Sequence, residues 1–412
     1  MFSRRDFLAG GLLSAAAGLT VPAVLAKGVL AATNDGIHND RVLVVLQLGG
    51  GNDGLNTVVP FADPAYASAR PTLGIPADRV LRIDDHVGLN PAMPQLKSLY
   101  DAGRVAIVQG VGYDQPTYSH FEGLYVWEHA DPQRRQTDGW LGRLLATQLD
   151  SQGHPLAGCA VGQASTPSEL RASGASISVI ESAAAYRIQG GTGREVAATA
   201  LYRRTPGIYG ALFDQALSTA QSGISTLQKA SAYTPAVPYS AQRTVYGSKN
   251  DLASSLQLTA QMIVTEPTVK VCHVVLGGFD THQQEDTRQT ALLGDVDAAV
   301  SAFMKDLDAH GQGDRVVLMT WSEFGRRVAE NGSRGTDHGS AAPVFVVGRP
   351  VAGGLYGEPP SLTSLIDGGN LKYTTDFRSV YQTMIRDWLG GDAATVLGAR
   401  FPELPLLRAT SA

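Results

Sequence analysis

The chain is poor in cysteine and has no concentration of positive charge. Its 412 residues include two cysteines, Cys159 and Cys272, and neither belongs to a metal-binding cysteine motif. Both stand in apolar, strand-like segments, which predicts two buried free thiols; the alternative is a disulfide, which an oxidising compartment permits. The formal net charge of −5 and the lack of basic clusters argue against binding to nucleic acid.

Long apolar runs are also missing from the chain after its N-terminal segment. No later segment is apolar enough to span a bilayer. The chain begins MFSRRDFL, and a short apolar stretch follows at 9–25. This pattern is typical of a twin-arginine secretory signal. We expect residues 1–35 to be signal peptide and linker, with the twin-arginine machinery as export partner. The mature protein would be periplasmic or secreted, without a stable membrane span. An uncleaved anchor is the alternative, against which Pro22 and the glycines of the short run argue.

Strand-like and helical segments alternate along the rest of the chain. Helices are predicted at 91–102, 119–130, 196–203, 208–232, 251–264 and 289–309, and strands at 41–48, 105–109, 155–161, 269–276, 316–320 and 344–347. This alternation predicts a mainly parallel sheet covered by helices on both faces, a three-layer α/β/α sandwich. We expect one such domain over 36–412, with a mostly helical insertion around 190–265.

Acidic residues and histidines follow several of these strands. In an open α/β sheet, ligands bind beyond the carboxyl ends of the strands. Carboxylates that meet there repel one another unless a cation neutralises them. The pattern therefore predicts a metal-dependent hydrolase site, in preference to solvated turn aspartates and a surface histidine. The candidate metal ligands are Asp53, Asp280, His282, Glu323, Asp337 and His338.

The glycine-rich segment 49–54, GGGNDG, matches the dinucleotide fingerprint Gly-x-Gly-x-x-Gly by pattern only. In that fingerprint the last glycines open a helix that holds pyrophosphate. Here the following residues 56–60 are a poor helix start, and an aspartate inside the loop would repel phosphate. We interpret the glycines as making room for Asp53 and its ligand.

Three further residues have two interpretations each. Ser119 precedes a helical stretch, whose positive field favours an ionised nucleophile; alternatively it is an N-cap, with Glu122 completing a capping box. Arg326 could hold an anionic substrate through a bidentate contact, or it could pair internally with Glu323. His273 lies within a strand, which predicts a packed core histidine rather than a ligand.

Together these motifs resemble a known bacterial family. The leader, LGGGNDGLN, SHF, GGFDTH, SEFGR and DHG occur in the order typical of the family called domain of unknown function 1501, over about 41–407. That family is grouped with the alkaline phosphatase and sulfatase superfamily and has no generally established activity. The resemblance implies an alkaline-phosphatase-like fold with a metal site at the strand ends.

The superfamily pattern implies a first metal site. Asp280 and His282 resemble its Asp and His, although the superfamily usually spaces them farther apart, and His338 resembles the late histidine that completes it. These ligands would hold zinc or manganese. Ser119 falls at the position of the nucleophile, but the cysteine motif of sulfatases is missing, which argues against an ordinary sulfatase.

The same pattern implies a second metal site that is altered in this chain. Asp53 matches the metal-binding aspartate after the first strand. Glu323 stands where the superfamily has an Asp-His or Asp-Asn pair, so a histidine is missing. The site would be all oxygen, with Ser119 and Asn52 as further ligands, and would suit calcium, magnesium or manganese.

We therefore predict an exported, metal-dependent hydrolase whose substrate is a small phosphate ester or related anionic ester. Ser119 would attack at a two-metal site, and Arg326 would hold the non-bridging oxygens. The alternative is a non-catalytic secreted protein on the same fold that binds a metal or a carbohydrate, because a fold does not imply a function.

Overall fold

The computed structural model describes the chain in several ranges: 39–147, 154, 156–175, 177–182, 200, 221, 224–225, 233–240 and 251–409. The predicted signal segment 1–35 lies outside them, as do the predicted helices at 196–203 and 208–232 except for a few residues. Among the described helices, none is long and apolar enough to cross a membrane.

The strands and helices of the described ranges alternate through most of the chain. The strands are β1 (Val42–Gly49), β2 (Val58–Val59), β3 (Leu81–Arg82), β4 (Gly88–Leu89), β5 (Val105–Gly112), β6 (Gly158–Val161), β7 (Ile177–Ile180), β8 (Val271–Gly277), β9 (Val316–Trp321), β10 (Arg326–Glu330), β11 (Thr336–His338), β12 (Ala342–Val347), β13 (Gly354–Tyr356), β14 (Leu365–Ile366), β15 (Asn370–Leu371) and β16 (Thr375–Asp376). The α-helices are α1 (Pro64–Ala69), α2 (Pro94–Asp101), α3 (His120–His129), α4 (Trp140–Thr147), α5 (Leu252–Thr265), α6 (Glu285–Ala309), α7 (Phe377–Thr383) and α8 (Ala393–Leu397). Short 3-10 helices span Gly54–Asn56, Ser168–Leu170 and Gly313–Arg315, and a π-helical turn spans Met384–Trp388.

A nine-stranded, mainly parallel sheet forms the centre of the fold. Its order is β13-β5-β12-β9-β1-β8-β6-β7, with β16 paired to β5. β12 runs antiparallel to both of its neighbours, β5 and β9, whereas the other pairings in this sheet are parallel. The predicted mainly parallel sheet is therefore confirmed.

Helices cover both faces of this sheet, because its central strands are apolar on both sides. Val44 and Leu46 of β1 pack into one core cluster with α5 and α6, and the alternate residues Leu43 and Val45 pack into another with α3, α4 and α7. Full burial of each such side chain contributes roughly 1.5–3 kcal/mol. The three-layer α/β/α arrangement follows from this two-sided burial.

The strand directions determine where a site can form. β1, β5, β8 and β9 share one direction, so their carboxyl ends lie at the same edge of the sheet, and the amino end of antiparallel β12 joins them there. The chain segments at this edge are 50–53, 113–120, 278–282, 322–325 and 338–341. All the candidate site residues belong to these segments or to the hairpin of β10 and β11.

Other local predictions are also confirmed. Cys159 and Cys272 are buried free thiols, and they stand opposite one another on β6 and β8. His273 is fully buried, as expected for a core histidine. Its Nε2 atom lies 3.0 Å from a carboxylate oxygen of buried Glu169.

Candidate metal centre

Four side chains meet at the carboxyl edge of the sheet: His120, Asp280, His282 and His338. His120 is the first residue of α3, His338 is the last residue of β11, and the other two follow β8. Asp280 lies at the centre, with Oδ1 3.1 Å from Nε2 of His282 and 3.1 Å from Nε2 of His338. The two imidazole Nε2 atoms are 2.9 Å apart. We call these four residues the histidine cluster.

His120 approaches Asp280 from the other side. Its Nε2 atom lies 3.6 Å from Asp280 Oδ2, and its ring packs edge-on against that of His338, with centroids 4.5 Å apart. One ligand atom each of His120, Asp280 and His338 can be chosen so that all three lie within 4.8 Å of one another, as the ligands of one metal ion do. The Asp280 side chain is 48% exposed, so the cluster is open to solvent.

The outer nitrogen of each histidine is held by an oxygen acceptor. Nδ1 of His120 lies 2.8 Å from a Glu323 carboxylate oxygen, Nδ1 of His282 lies 3.3 Å from an Asp337 carboxylate oxygen, and Nδ1 of His338 lies 2.7 Å from the carbonyl oxygen of Tyr118. Carbonyl and ionised carboxylate oxygens accept only, so we assign the proton to Nδ1 in each ring. In the neutral tautomers, all three Nε2 lone pairs then face Asp280. Metal-ligating histidines are oriented in this way.

The charges at the centre favour a cation. Burial raises the pKa of Asp280, but the hydrogen bond from Arg326 and the charge of that guanidinium act against burial, and the pKa is lowered. Burial also lowers the pKa of His338, which favours the neutral ring. An ionised carboxylate therefore faces the lone pairs of imidazole nitrogens about 3 Å away, which is repulsive unless a positive charge lies between them. Zinc bonds of about 2.0–2.1 Å in a tetrahedron place ligand atoms roughly 3.3 Å apart, which is close to the spacing of Asp280 from the Nε2 atoms of His282 and His338.

Glu323 takes a different place from the one that the sequence predicted. It is 2% exposed, and its Oε1 atom accepts hydrogen bonds from the backbone N–H of Gly50, at 2.8 Å, and from His120. The hydrogen bond to Glu323 raises the pKa of His120 against the effect of burial. Glu323 therefore orients a cluster histidine from outside. Asp337 does the same for His282 rather than facing the centre.

Asp53 is not part of the histidine cluster. It is fully buried, and both of its carboxylate oxygens pair with the guanidinium of Arg70. Burial raises the pKa of Asp53, but the charge of Arg70 outweighs that effect and lowers it. Asn52 is also engaged, because its side-chain oxygen accepts hydrogen bonds from Thr57 and Gln289. The structure therefore does not assemble the predicted all-oxygen site: Arg70 supplies the positive charge beside Asp53.

Arg326 is a structural residue in this geometry rather than a free anion-binding group. It is 1% exposed, and all three of its guanidinium nitrogens donate hydrogen bonds within the protein. The predicted internal pairing with Glu323 is replaced by a pairing with Asp280, at 2.9 Å. Arg326 thereby fixes the loops after β1 and β8. Its acceptors are Gly50 O, Gly51 O, Phe279 O, Thr336 O and Asp280 Oδ1.

The glycines after β1 make room for the loop that carries Asp280. Gly50 has φ of +121°, and a Cβ atom there would collide with the backbone of Phe279 and Asp280. Both the backbone conformation and the close approach therefore require glycine. The sequence interpretation, that the glycines make room for Asp53 and its ligand, is corrected in this respect.

Ser119 occupies the N-cap position of α3, but its hydroxyl makes no capping hydrogen bond. Glu122 accepts instead from the Thr117 hydroxyl and from Arg134, so the predicted capping box is not formed. Ser119 stands between Tyr118, whose carbonyl holds His338, and His120. Among the described residues, nothing hydrogen-bonds to its hydroxyl.

His120 is the member of the histidine cluster that the sequence analysis did not single out. It stands within the Ser-His-Phe motif, directly after the serine that the helix start suggests as N-cap or nucleophile. A signal was present, since the first side chain of a helix that begins at the carboxyl edge of the sheet points toward the same region as the strand-end loops.

Comparison with solved structures finds distant likenesses only. Solved structures that resemble it include the PsFucS1 sulfatase from Pseudoalteromonas sp. (12% identity, 86% of this chain and 68% of that chain, TM-score 0.39). Others are a protein in the alkaline phosphatase superfamily from Vibrio parahaemolyticus (9%, 84% and 71%, 0.37) and the C-terminal periplasmic domain of EcEptC from Escherichia coli in complex with Zn (11%, 77% and 75%, 0.37). These distant likenesses concern fold and assign no activity.

Sequence relationships give a firmer result at the family level. No curated protein matches the chain. A family model described as protein of unknown function (DUF1501) matches residues 40–385, which include every member of the histidine cluster and the residues that orient it. The chain therefore belongs to the DUF1501 family.

Proposed function

We propose that this protein is a metal-dependent hydrolase of phosphate esters or related anionic esters, with one divalent ion at the histidine cluster. The observation that carries the proposal is the convergence of three Nε2 atoms on the ionised carboxylate of Asp280, with each outer nitrogen held by an oxygen. This arrangement supports a single ion bound by His120, Asp280, His282 and His338. We expected two metal ions from the sequence. We now propose one, because Arg70 neutralises Asp53, the central ligand of the expected second site.

The donor set favours zinc. Three imidazoles and one carboxylate suit zinc, and to a lesser degree manganese, better than calcium or magnesium, which take oxygen ligands. When bound, such an ion supplies Lewis acidity to an ester oxygen. The exposure of Asp280 gives a substrate access to the cluster.

Ser119 is the proposed nucleophile. It precedes a ten-residue helix, whose N-terminal partial positive charge stabilises a developing alkoxide and the anionic group that it attacks. Its hydroxyl is not used for capping, so it is available for chemistry. Of the two residues that flank it, Tyr118 contacts His338 through its carbonyl oxygen and His120 belongs to the cluster, so Ser119 is adjacent to the cluster in sequence.

Turnover of aryl phosphate esters, before and after loading with zinc or manganese, tests this function. We expect metal-dependent hydrolysis by the wild type and none by Ser119→Ala, with the metal content of that variant unchanged. Ser98→Ala is the matched control, because Ser98 bonds only to a carbonyl of its own helix. Full activity of Ser119→Ala would contradict the assignment of Ser119 as nucleophile. If the metal-loaded wild type hydrolyses no phosphate monoester, phosphate diester or sulfate ester, the protein is not a hydrolase of this kind.

The second candidate is a non-catalytic metal- or carbohydrate-binding protein. One observation favours it: the buried Asp53–Arg70 pair leaves no second cation site of the predicted kind among the described residues. Stoichiometric metal without turnover of any of these esters would support this candidate.

We also propose export by the twin-arginine pathway to the periplasm or beyond, with a single domain over 36–412. The start MFSRRDFL and the apolar stretch at 9–25 support it. Cell fractionation of the full chain and of the double variant Arg4→Lys, Arg5→Lys tests this: we expect the variant to be retained in the cytoplasm.

A further inference from the structure

Arg327 is the residue next to Arg326 on β10, and it has a different environment. Successive side chains of a strand point to opposite faces, so the two arginines diverge. Whereas Arg326 donates from all three guanidinium nitrogens, the Arg327 side chain makes no hydrogen bond or ion pair with any described residue. Its Nε atom is nevertheless buried and without a partner.

The position of Arg327 is close to the residues that orient the histidine cluster. β10 pairs antiparallel with β11, with Arg326 opposite His338, so Arg327 stands near Asp337 in this hairpin. Tyr118 holds His338 through its carbonyl oxygen, and Asp337 holds His282. Arg327 therefore lies beside the cluster, on the side where α3 begins and β11 ends.

The backbone of Arg327 is held by hydrogen bonds from the buried side chain of Arg70. Arg70 donates to the carbonyl oxygens of Arg327, at 3.0 Å, and of Val328, at 2.9 Å. A buried donor without an acceptor costs free energy, and such a group in a folded protein calls for an explanation. A guanidinium on a strand whose backbone is fixed, with donors that bind no described residue, is suited to bind an anion.

The charge balance leads to the same residue. Asp280 and Asp53 each pair with an arginine, Arg326 and Arg70 respectively, so neither of those cations is available for a substrate. An anionic ester that approaches the carboxylates of the cluster requires a cation that is not already neutralised. Arg327 is such a cation.

We propose that Arg327 is the anion-binding residue of the site and holds the tetrahedral oxyanion of the substrate through its guanidinium fork. The role of Arg327 in a reaction rests on the proposed function, whereas its role in binding an anion does not depend on turnover. Phosphate and sulfate have the same tetrahedral oxygen arrangement, and bidentate contacts to such groups are the geometry that arginine provides and lysine does not.

Calorimetric titration of the zinc-loaded protein with inorganic phosphate and, separately, with sulfate tests the proposal without turnover. We expect Arg327→Gln to weaken binding of the preferred anion roughly 10- to 100-fold, as the loss of charge-assisted hydrogen bonds implies. Arg327→Lys should recover only part of the affinity. Both variants should keep the wild-type zinc content and Tm. Arg79→Gln, which removes the same charge from an exposed arginine, should bind as the wild type does.

If the protein turns over aryl phosphates, Arg327→Gln should raise KM more than it lowers kcat. Phosphate and sulfate affinities in Arg327→Gln equal to those of the wild type would overturn the anion site while leaving the hydrolase intact. Failure of the loaded wild type to bind either anion would overturn it too. If the protein shows no turnover but binds an anion in a way that depends on Arg327, the anion site is supported and the proposed hydrolase activity is contradicted.

Discussion

Each histidine of the cluster uses one ring nitrogen for the fold and leaves the other for the site. His120, His282 and His338 bind Glu323, Asp337 and the Tyr118 carbonyl through Nδ1. These outer contacts fix the tautomer and the ring orientation, and in metal proteins they raise the basicity of the ligand. Glu323 and Asp337, which the sequence suggested as metal ligands, thus orient His120 and His282 instead.

This arrangement predicts graded effects on metal affinity. Glu323→Gln and Asp337→Asn should weaken zinc binding by about 10- to 100-fold, whereas Asp280→Ala should abolish stoichiometric binding. Competition with a chelating dye measures all three. Glu403→Gln, which removes an exposed carboxylate paired with Arg386, serves as control. Equal affinities in wild type, Glu323→Gln and Asp337→Asn would show that the outer contacts do not serve the metal.

Asp53 has a purely structural role in this account. Asp53→Ala removes the carboxylate that pairs with the buried guanidinium of Arg70, which costs about 3–5 kcal/mol, while metal content stays at the wild-type level. Urea unfolding and metal analysis of the same sample measure both quantities. Asp101→Ala, which breaks an exposed pair with Lys97, should cost less than about 1 kcal/mol. Loss of metal in Asp53→Ala at unchanged stability would restore the second site that the sequence suggested.

At the scale of elements, α3 carries the site at its first turn. Gly123 lets that turn approach the strand end, since a Cβ there would lie 3.0 Å from the Glu323 carbonyl oxygen. The helix begins without a side-chain cap, although Ser119 is a good capping residue by type. The serine hydroxyl is therefore free at some cost to the helix.

Stability measurements test whether Ser119 caps α3 or keeps its hydroxyl free. Ser119→Ala should change the free energy of unfolding by less than about 0.5 kcal/mol, because no capping bond is lost. Asp63→Ala, which removes a cap that accepts from the Ala65 N–H at 2.8 Å, should cost about 1 kcal/mol. Equal losses in the two variants would indicate that Ser119 caps α3 after all.

The far end of the same helix predicts a pH dependence. Burial and the charge of Glu169 raise the pKa of Glu128 to about 7. Between the unfolded value of 4.5 and about 7, the folded state holds more protons, so this group makes stability fall as pH rises. Glu128→Gln removes the group, so its unfolding free energy relative to wild type should increase across that window and level off above it. Parallel profiles of the two proteins between pH 4.5 and 8 would contradict this assignment.

At the scale of the whole molecule, the sheet was the most predictable part. Segments 41–48, 269–276 and 316–320 are continuous apolar runs, and the structure has β1, β8 and β9 there. Buried parallel strands have this pattern because both of their faces are covered. The observed ends differ from the expected ones by one or two residues.

The hairpin of β10 and β11 could not be predicted in the same way. Its first strand, RRVAE, is polar, and its structure depends on pairing with β11 and on the buried Arg70. The partner of Asp53 was equally hidden, because nothing in the local pattern shows that Arg70 folds back on it. Pairings of this kind depend on tertiary packing, which a pattern of residue types does not contain.

The histidine cluster joins three distant parts of the chain, so a bound metal should stabilise the whole fold. A ligand that binds only the folded state adds about 4 kcal/mol when its concentration is a thousand times Kd. Differential scanning calorimetry should show a higher Tm with zinc and a lower one with chelator, and no such shift in Asp280→Ala. An equal response of Asp280→Ala to zinc would place the stabilising ion elsewhere.

The metal content of the purified protein, measured by mass spectrometry after reconstitution with zinc, is the most direct test of the central claim. We expect one ion per chain in the wild type and in Asp53→Ala, and none in Asp280→Ala. Absence of stoichiometric metal in the wild type, or its retention in Asp280→Ala, would show that the histidine cluster is not a metal site.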